Sequence, residues 1–133
     1  MVLKGLRQNG YHALAHDIAL RHVETVTQVF RETGTLWENY APEGAGPGDP
    51  AKPDFVGWTG LSAIAIPIEH VFGIESRPEE NKIIWHIRET ARHGVLRYPF
   101  KGGTVDLICP ARRKGERPEI ELRSTVPVSV EAV

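Results

Sequence analysis

The sequence predicts an α+β chain in which helices come first and strands follow. Three observations carry that expectation. Apolar side chains recur at spacings of three and four between Tyr11 and Phe30, and a nearly unbroken apolar run follows between Thr59 and Phe72. Beyond Asn81 the pattern changes to strand-like alternation. The change of character at Ser76–Asn81 divides the 133 residues into a helical part, 1–76, and a β part, 77–133.

Tyr11, Leu14, Ala15, Ile18, Val26, Val29 and Phe30 fall along one stripe, which predicts an amphipathic helix of about five turns. Gly10 precedes it and Thr33-Gly34 supplies the stop. From Gly34 to Gly57 the sequence reads as loop, and its middle, Pro42 to Pro53, is dense in residues that break helices and strands. Its flanks are aromatic, whereas disordered linkers are depleted in aromatics, so an ordered functional loop with a mobile tip is expected. The second helix, Thr59 to Phe72, has almost no polar face and is expected to be buried on all sides. Pro67 should remove a hydrogen bond and bend it, and Gly73 should cap it. Strands are expected at Ile83–Ile87, Val95–Tyr98, Thr104–Cys109, Glu119–Arg123 and Val126–Val130, forming a small antiparallel β-sheet with turns at Gly94, Gly102-Gly103 and Gly115.

Composition narrows the function classes. A formal net charge of -1 and a pI near 6.6 give no electrostatic reason to expect nucleic acid or an anionic membrane as partner. The basic run Arg112-Arg113-Lys114 reads as a solvated turn. A single cysteine, Cys109, excludes an internal disulfide, leaves no cysteine pair for zinc, and reads as a buried thiol. No stretch approaches the roughly 20 apolar residues that span a bilayer, and the first residues lack the apolar run of a signal peptide. A cytoplasmic protein is expected.

Two segments carry the chemistry: Gly34-Thr35-Leu36-Trp37-Glu38-Asn39-Tyr40-Ala41-Pro42-Glu43, and Asp54-Phe55-Val56-Gly57-Trp58-Thr59-Gly60. Composition alone reads Trp37, Tyr40, Phe55 and Trp58 as core aromatics beneath a loop. Together, however, the segments resemble the C-terminal motifs of the trehalase and mannosylglycerate hydrolase-like glycosidases, whose fold is an (α/α)6 barrel. The resemblance covers Gly10–Gly73 in layout and extends loosely through Trp85–Cys109. It implies that the helices are the last ones of an (α/α)6 toroid, that Glu38 matches the general base and that Tyr40 is its neighbouring tyrosine. It also implies that Phe55, Gly57, Trp58 and Thr59 open an inner helix. Val56 stands between Phe55 and Gly57, whereas trehalases place phenylalanine directly before glycine, and the Gly/Pro loop replaces their glycine-rich stretch. Both departures point to a sister group of trehalase proper.

An inverting glycosidase needs one carboxylic acid to protonate the leaving oxygen and one ionised carboxylate to activate water, about 6.5–9.5 Å apart. On the resemblance Glu38 is the second of these, kept ionised by hydrogen bonds. Trp37, Phe55 and Trp58 offer apolar faces to a sugar and Tyr40 a hydroxyl. The acid has no matching motif at Asp17, Asp49, Asp54 or Asp106. The chain is therefore expected to be the C-terminal portion of the hydrolase, holding an incomplete active site that depends on an upstream part of the barrel or on self-association. The alternative expectation is a non-catalytic carbohydrate-binding or dimerising module. No cofactor is expected, and no metal: His86, Glu89 and His93 on a strand-and-turn segment need not converge, and His12, His16 and His22 read as a helix surface or interface.

Overall fold

The computed structural model describes residues 2–55 and 57–133, with the side chains of Trp58, Leu61 and Ser62 excepted. The chain is α+β and separates into two compact units, Met1–Val71 and Phe72–Val133.

The first unit is helical. A short helix α1 (Val2–Gln8), absent from the sequence expectation, precedes the long one. It ends in a Schellman motif: Tyr11 N–H donates to Leu6 O at 2.9 Å and Gly10 N–H to Arg7 O at 3.0 Å, with Gly10 at φ 82°. Gly10 is thus the stop of α1, and Tyr11 stands between it and α2 (His12–Thr33). Ala15, Ala19, Val26 and Val29 are the buried residues of α2, and their spacing follows the helical repeat. Gly34 closes the helix in the left-handed conformation, its N–H donating to Phe30 O at 2.8 Å.

The apolar run forms α3 (Trp58–Ile66) and then a π-helical turn, Pro67–Val71. Pro67 has no N–H to offer the α-ladder, so the α-helix stops where it stands. Side chains from the other helices bond the carbonyls of that turn. Arg7 Nη1 donates to Glu69 O at 2.9 Å, and His16 Nδ1 lies 3.2 Å from His70 O. The expectation of burial on all sides is not met, because Ala63 is exposed and Ile64 is 65% exposed. Helix α2 likewise leaves Leu14 and Ile18 exposed along the flank of its buried stripe, and Tyr11, just before it, is exposed too.

In the second unit the structure corrects the expected antiparallel sheet. There are two three-stranded sheets, and one contains a parallel pair. β1 (Ile74–Arg77), β2 (Lys82–Trp85) and β6 (Ser129–Ala132) form the first sheet in the order β1-β2-β6. β3 (His93–Phe100), β4 (Gly103–Cys109) and β5 (Glu121–Ser124) form an antiparallel meander. β3 to β5 supply the long crossover that a parallel pair requires, and β6 pairs with β2 in the same direction. A 3₁₀ turn, Pro78–Glu80, with Asn81 at φ 50°, reverses the chain between β1 and β2.

Alternation builds the core. Ile83 and Trp85 on β2, and Val105, Leu107 and Cys109 on β4, are fully buried at every second position, with Ile74 beside them. The Trp85 indole N–H donates to Phe72 O at 2.8 Å, so its burial leaves no orphan donor. The His93 ring meets Trp85 edge-on at 5.6 Å between centroids. Gly73 turns at φ 77°, as a helix stop should, but a second constraint also acts there. Its carbonyl accepts from His86 N–H at 2.9 Å, and an added Cβ would collide with His86 O.

Two expected outcomes follow from this packing. Gly73→Ala should cost about 1–3 kcal/mol through the left-handed conformation and the backbone collision. Gly5→Ala, which meets nothing within 4 Å, should be neutral or slightly stabilising. Urea unfolding midpoints compare the two. In the helical unit, burial lowers the pKa of His22, and burial, with Arg7 next, lowers that of His70. The unfolded chain therefore binds protons more readily, so stability should be full above the ordinary histidine value of about 6.5 and fall as pH drops through the depressed folded values. Thermal melts followed by helical circular dichroism should show a lower Tm at about pH 5 than at about pH 7. His70→Gln should flatten the slope.

Candidate active site

Between α2 and α3 the chain runs out and back as a closed loop. Its two limbs meet at isolated bridges, Trp37 opposite Pro53 and Tyr40 opposite Pro47. Glu38 N–H donates to Lys52 O at 2.9 Å, Ala41 N–H to Gly46 O at 2.9 Å, Gly48 N–H to Asn39 O at 3.1 Å and Phe55 N–H to Leu36 O at 3.2 Å. The breaker-rich middle cannot form a regular ladder, because its prolines lack donors. It is nonetheless ordered by these backbone bonds and by Asn39 Nδ2 donating to Pro50 O at 3.2 Å. A Cβ at Gly48 would overlap Asn39 Oδ1, so a larger residue there would have to displace the Asn39 side chain.

The base of the loop is fastened by side chains. Thr35 Oγ1 donates to Asp54 Oδ1 at 2.6 Å, and Asp54 N–H donates back to Thr35 Oγ1 at 3.1 Å. Asp54 stands at φ 55°, a conformation aspartate tolerates better than most side chains. This carboxylate therefore serves the loop closure.

Trp37 is held at three polar atoms. Its indole Nε1–H donates to Thr33 Oγ1 at 3.0 Å, its backbone N–H to Tyr40 Oη at 3.3 Å, and its carbonyl accepts from Thr59 Oγ1 at 3.0 Å. Glu38, the next residue, is half-buried; among the described residues no hydrogen bond reaches its carboxylate, and its N–H is engaged with Lys52 O. Phe55 is half-buried, and its ring lies against Gly57 so closely that a Cβ there would meet Phe55 Cε1 and Cζ. Trp58 opens α3, and its side chain lies outside the described residues, as does Val56.

The two segments singled out in the sequence are thus neighbours, with Glu38, Trp37, Tyr40 and Phe55 on one closed loop that ends at α3. Thr33, Thr35, Asp54 and Thr59 were missed as its fasteners. The signal was present in Thr59, which belongs to the second motif, whereas nothing in the sequence pairs Thr35 with Asp54 across nineteen residues.

The model of the trehalase family matches residues 1–65. Residues 1–65 are thus similar to the trehalase family. The matched span holds α1, α2, the whole loop and all but the last residue of α3. Both trehalase-like segments, and every candidate site residue from Trp37 to Trp58, fall inside it. No curated protein and no solved structure matches the chain.

The histidines are employed elsewhere. His86 Nε2 lies 3.6 Å from Glu75 Oε2, His93 packs on Trp85, and His16 bonds the π-turn. Among the described residues no group of three His, Cys, Asp or Glu side chains converges as a metal site. No described helix is long and apolar enough to cross a membrane.

Gly57→Ala should push the Phe55 ring off the loop and destabilise the helical unit by about 1–3 kcal/mol, an overpacking effect. Loss of nuclear Overhauser contacts between the Phe55 ring and residue 57, together with an earlier unfolding midpoint, is the expected readout.

Proposed function

We propose that this chain provides the C-terminal part of an inverting α-glycoside hydrolase of the trehalase and mannosylglycerate hydrolase-like kind, with Glu38 as general base. The observation that supports the reading best is the trehalase match over residues 1–65, which spans the closed loop bearing Glu38. Glu38 would take a proton from the water that attacks the anomeric carbon, while a carboxylic acid on the opposite face of the sugar protonates the leaving oxygen. Trp37, Phe55 and Trp58 supply flat apolar surface for a sugar ring, and Tyr40 borders the base. The substrate class is a small α-linked carbohydrate.

None of the chain's aspartates matches the family's acid motif, so the acid is taken to come from another part of an (α/α)6 barrel. The exposed apolar side chains Tyr11, Leu14, Ile18 and Ile64 support that reading, because they give the helical unit apolar surface for further helices to cover. A second copy of the chain is the competing cover, and sedimentation distinguishes a monomer from a dimer. The 133 residues alone are expected to be inactive.

Joined to the remaining helices of a trehalase-like barrel, the chain should hydrolyse trehalose or a related α-glycoside. Glu38→Gln should lower kcat by about 10²–10⁴-fold with the fold intact by circular dichroism. Undiminished hydrolysis by Glu38→Gln would show that another group is the base.

A further inference from the structure

We propose that Thr59 and Tyr40 are positioning residues that fix Glu38 by clamping the peptide groups of Trp37. This assignment rests on Glu38 being the base. Tyr40 would then act through its bond to the Trp37 amide, in addition to any contact with a sugar.

The geometry converges on one residue. The peptide before Trp37 is held by its N–H, which donates to Tyr40 Oη at 3.3 Å. The peptide joining Trp37 to Glu38 is held on both sides: its carbonyl accepts from Thr59 Oγ1 at 3.0 Å, and its N–H donates to Lys52 O at 2.9 Å. The plane carrying the Glu38 N–Cα bond therefore cannot rotate without losing one of these bonds. The indole adds a fourth anchor, since Nε1–H donates to Thr33 Oγ1, and that hydroxyl donates in turn to Val29 O at 2.8 Å in the last turns of α2. Val29 is fully buried, so the chain of bonds ends in the core of the helical unit. Trp37 is thereby tied to the C-terminal end of α2 through its ring and to the first turn of α3 through its carbonyl. Glu38 follows it directly and has only two side-chain torsions before its carboxyl carbon. A catalytic group must be held to within about 0.5 Å by such supports, and a backbone tied to two helix ends provides one.

The anchors are unequal in what they can be exchanged for. Thr59 contributes a donor on a β-branched stem, so Thr59→Val keeps the shape and removes the hydroxyl, while Thr59→Ser keeps the hydroxyl. Tyr40→Phe removes only the acceptor.

Amide hydrogen exchange in the 133-residue chain, resolved by nuclear magnetic resonance, tests the clamp directly. Thr59→Val and Tyr40→Phe should each speed exchange about tenfold at Trp37 and Glu38, the loss expected for one net hydrogen bond, and Thr59→Ser should not. Exchange at Val29 should stay the same in all three and reports any general loosening. Unchanged exchange at Trp37 and Glu38, or equal acceleration at Val29, overturns the clamp. In the chain joined to a trehalase-like barrel, Thr59→Val should lower kcat about tenfold at constant KM, with recovery in Thr59→Ser. Faster exchange with kcat untouched would overturn the positioning role while leaving Glu38 as the base. Hydrolysis that survives Glu38→Gln would remove the base and the positioning role together, while the exchange result still stands as a statement about the loop.

Discussion

The donation from Thr59 Oγ1 to Trp37 O spans twenty-two residues and joins the two halves of the loop at the place where α3 begins. Closing a loop of that length costs about 3 kcal/mol of chain entropy before any geometry is fixed. A single hydrogen bond returns about 1 kcal/mol, so closure needs several acting together. They are supplied in tiers: the Thr35–Asp54 pair at the base, backbone bonds along the limbs, and Asn39 against Gly48 and Pro50 near the tip. Order in a segment so rich in glycine and proline is possible because few of its donors are asked to form a ladder. Four backbone N–H groups, those of Glu38, Ala41, Gly48 and Phe55, donate across to the opposite limb.

The long helix was legible because its signals are local. The stripe from Ala15 to Val29, the breaker at Gly34 and the missing donor at Pro67 all act within a few residues of themselves. The short helix α1 was not, since seven residues containing Gly5 span only two turns, too few for Val2, Leu3 and Leu6 to stand out as a period; it is held by its Schellman turn and by packing on α2. β1 was missed because Ile74-Glu75-Ser76-Arg77 contains one apolar side chain, and its place is set by register against β2. The parallel pairing of β6 could not be read, because strand direction within a sheet depends on what intervenes in the chain, which no local pattern records.

For the site, the sequence made Glu38 and the aromatics visible and left their connections hidden. Side chains that bond backbone, such as Thr59 and Thr35, leave no periodic trace, so a threonine that fastens a loop looks like any other threonine. The trehalase match ends within α3, and the β unit has no counterpart in the comparisons. That unit is instead explained by its own packing. Trp85 is satisfied by Phe72 O, and two strands present their apolar residues at alternate positions. The apolar side chains left exposed on α2 and α3 are the counterpart of this in the helical unit, where secondary structure is complete and burial is not.

The parallel partnership of β2 and β6 has a bearing on biosynthesis. Ser129 N–H reaches back forty-eight residues to Asn81 O, and Val133 exchanges backbone bonds with Trp85 and Ile87. During translation β2 can pair with β1 almost at once, yet its other edge stays open until β6 has left the ribosome. In that interval Ile83, Ile84 and Trp85 present an apolar strand with unpaired backbone groups, the form of surface on which nascent chains stick to one another. Pairing with β6 is therefore what closes that edge of β2.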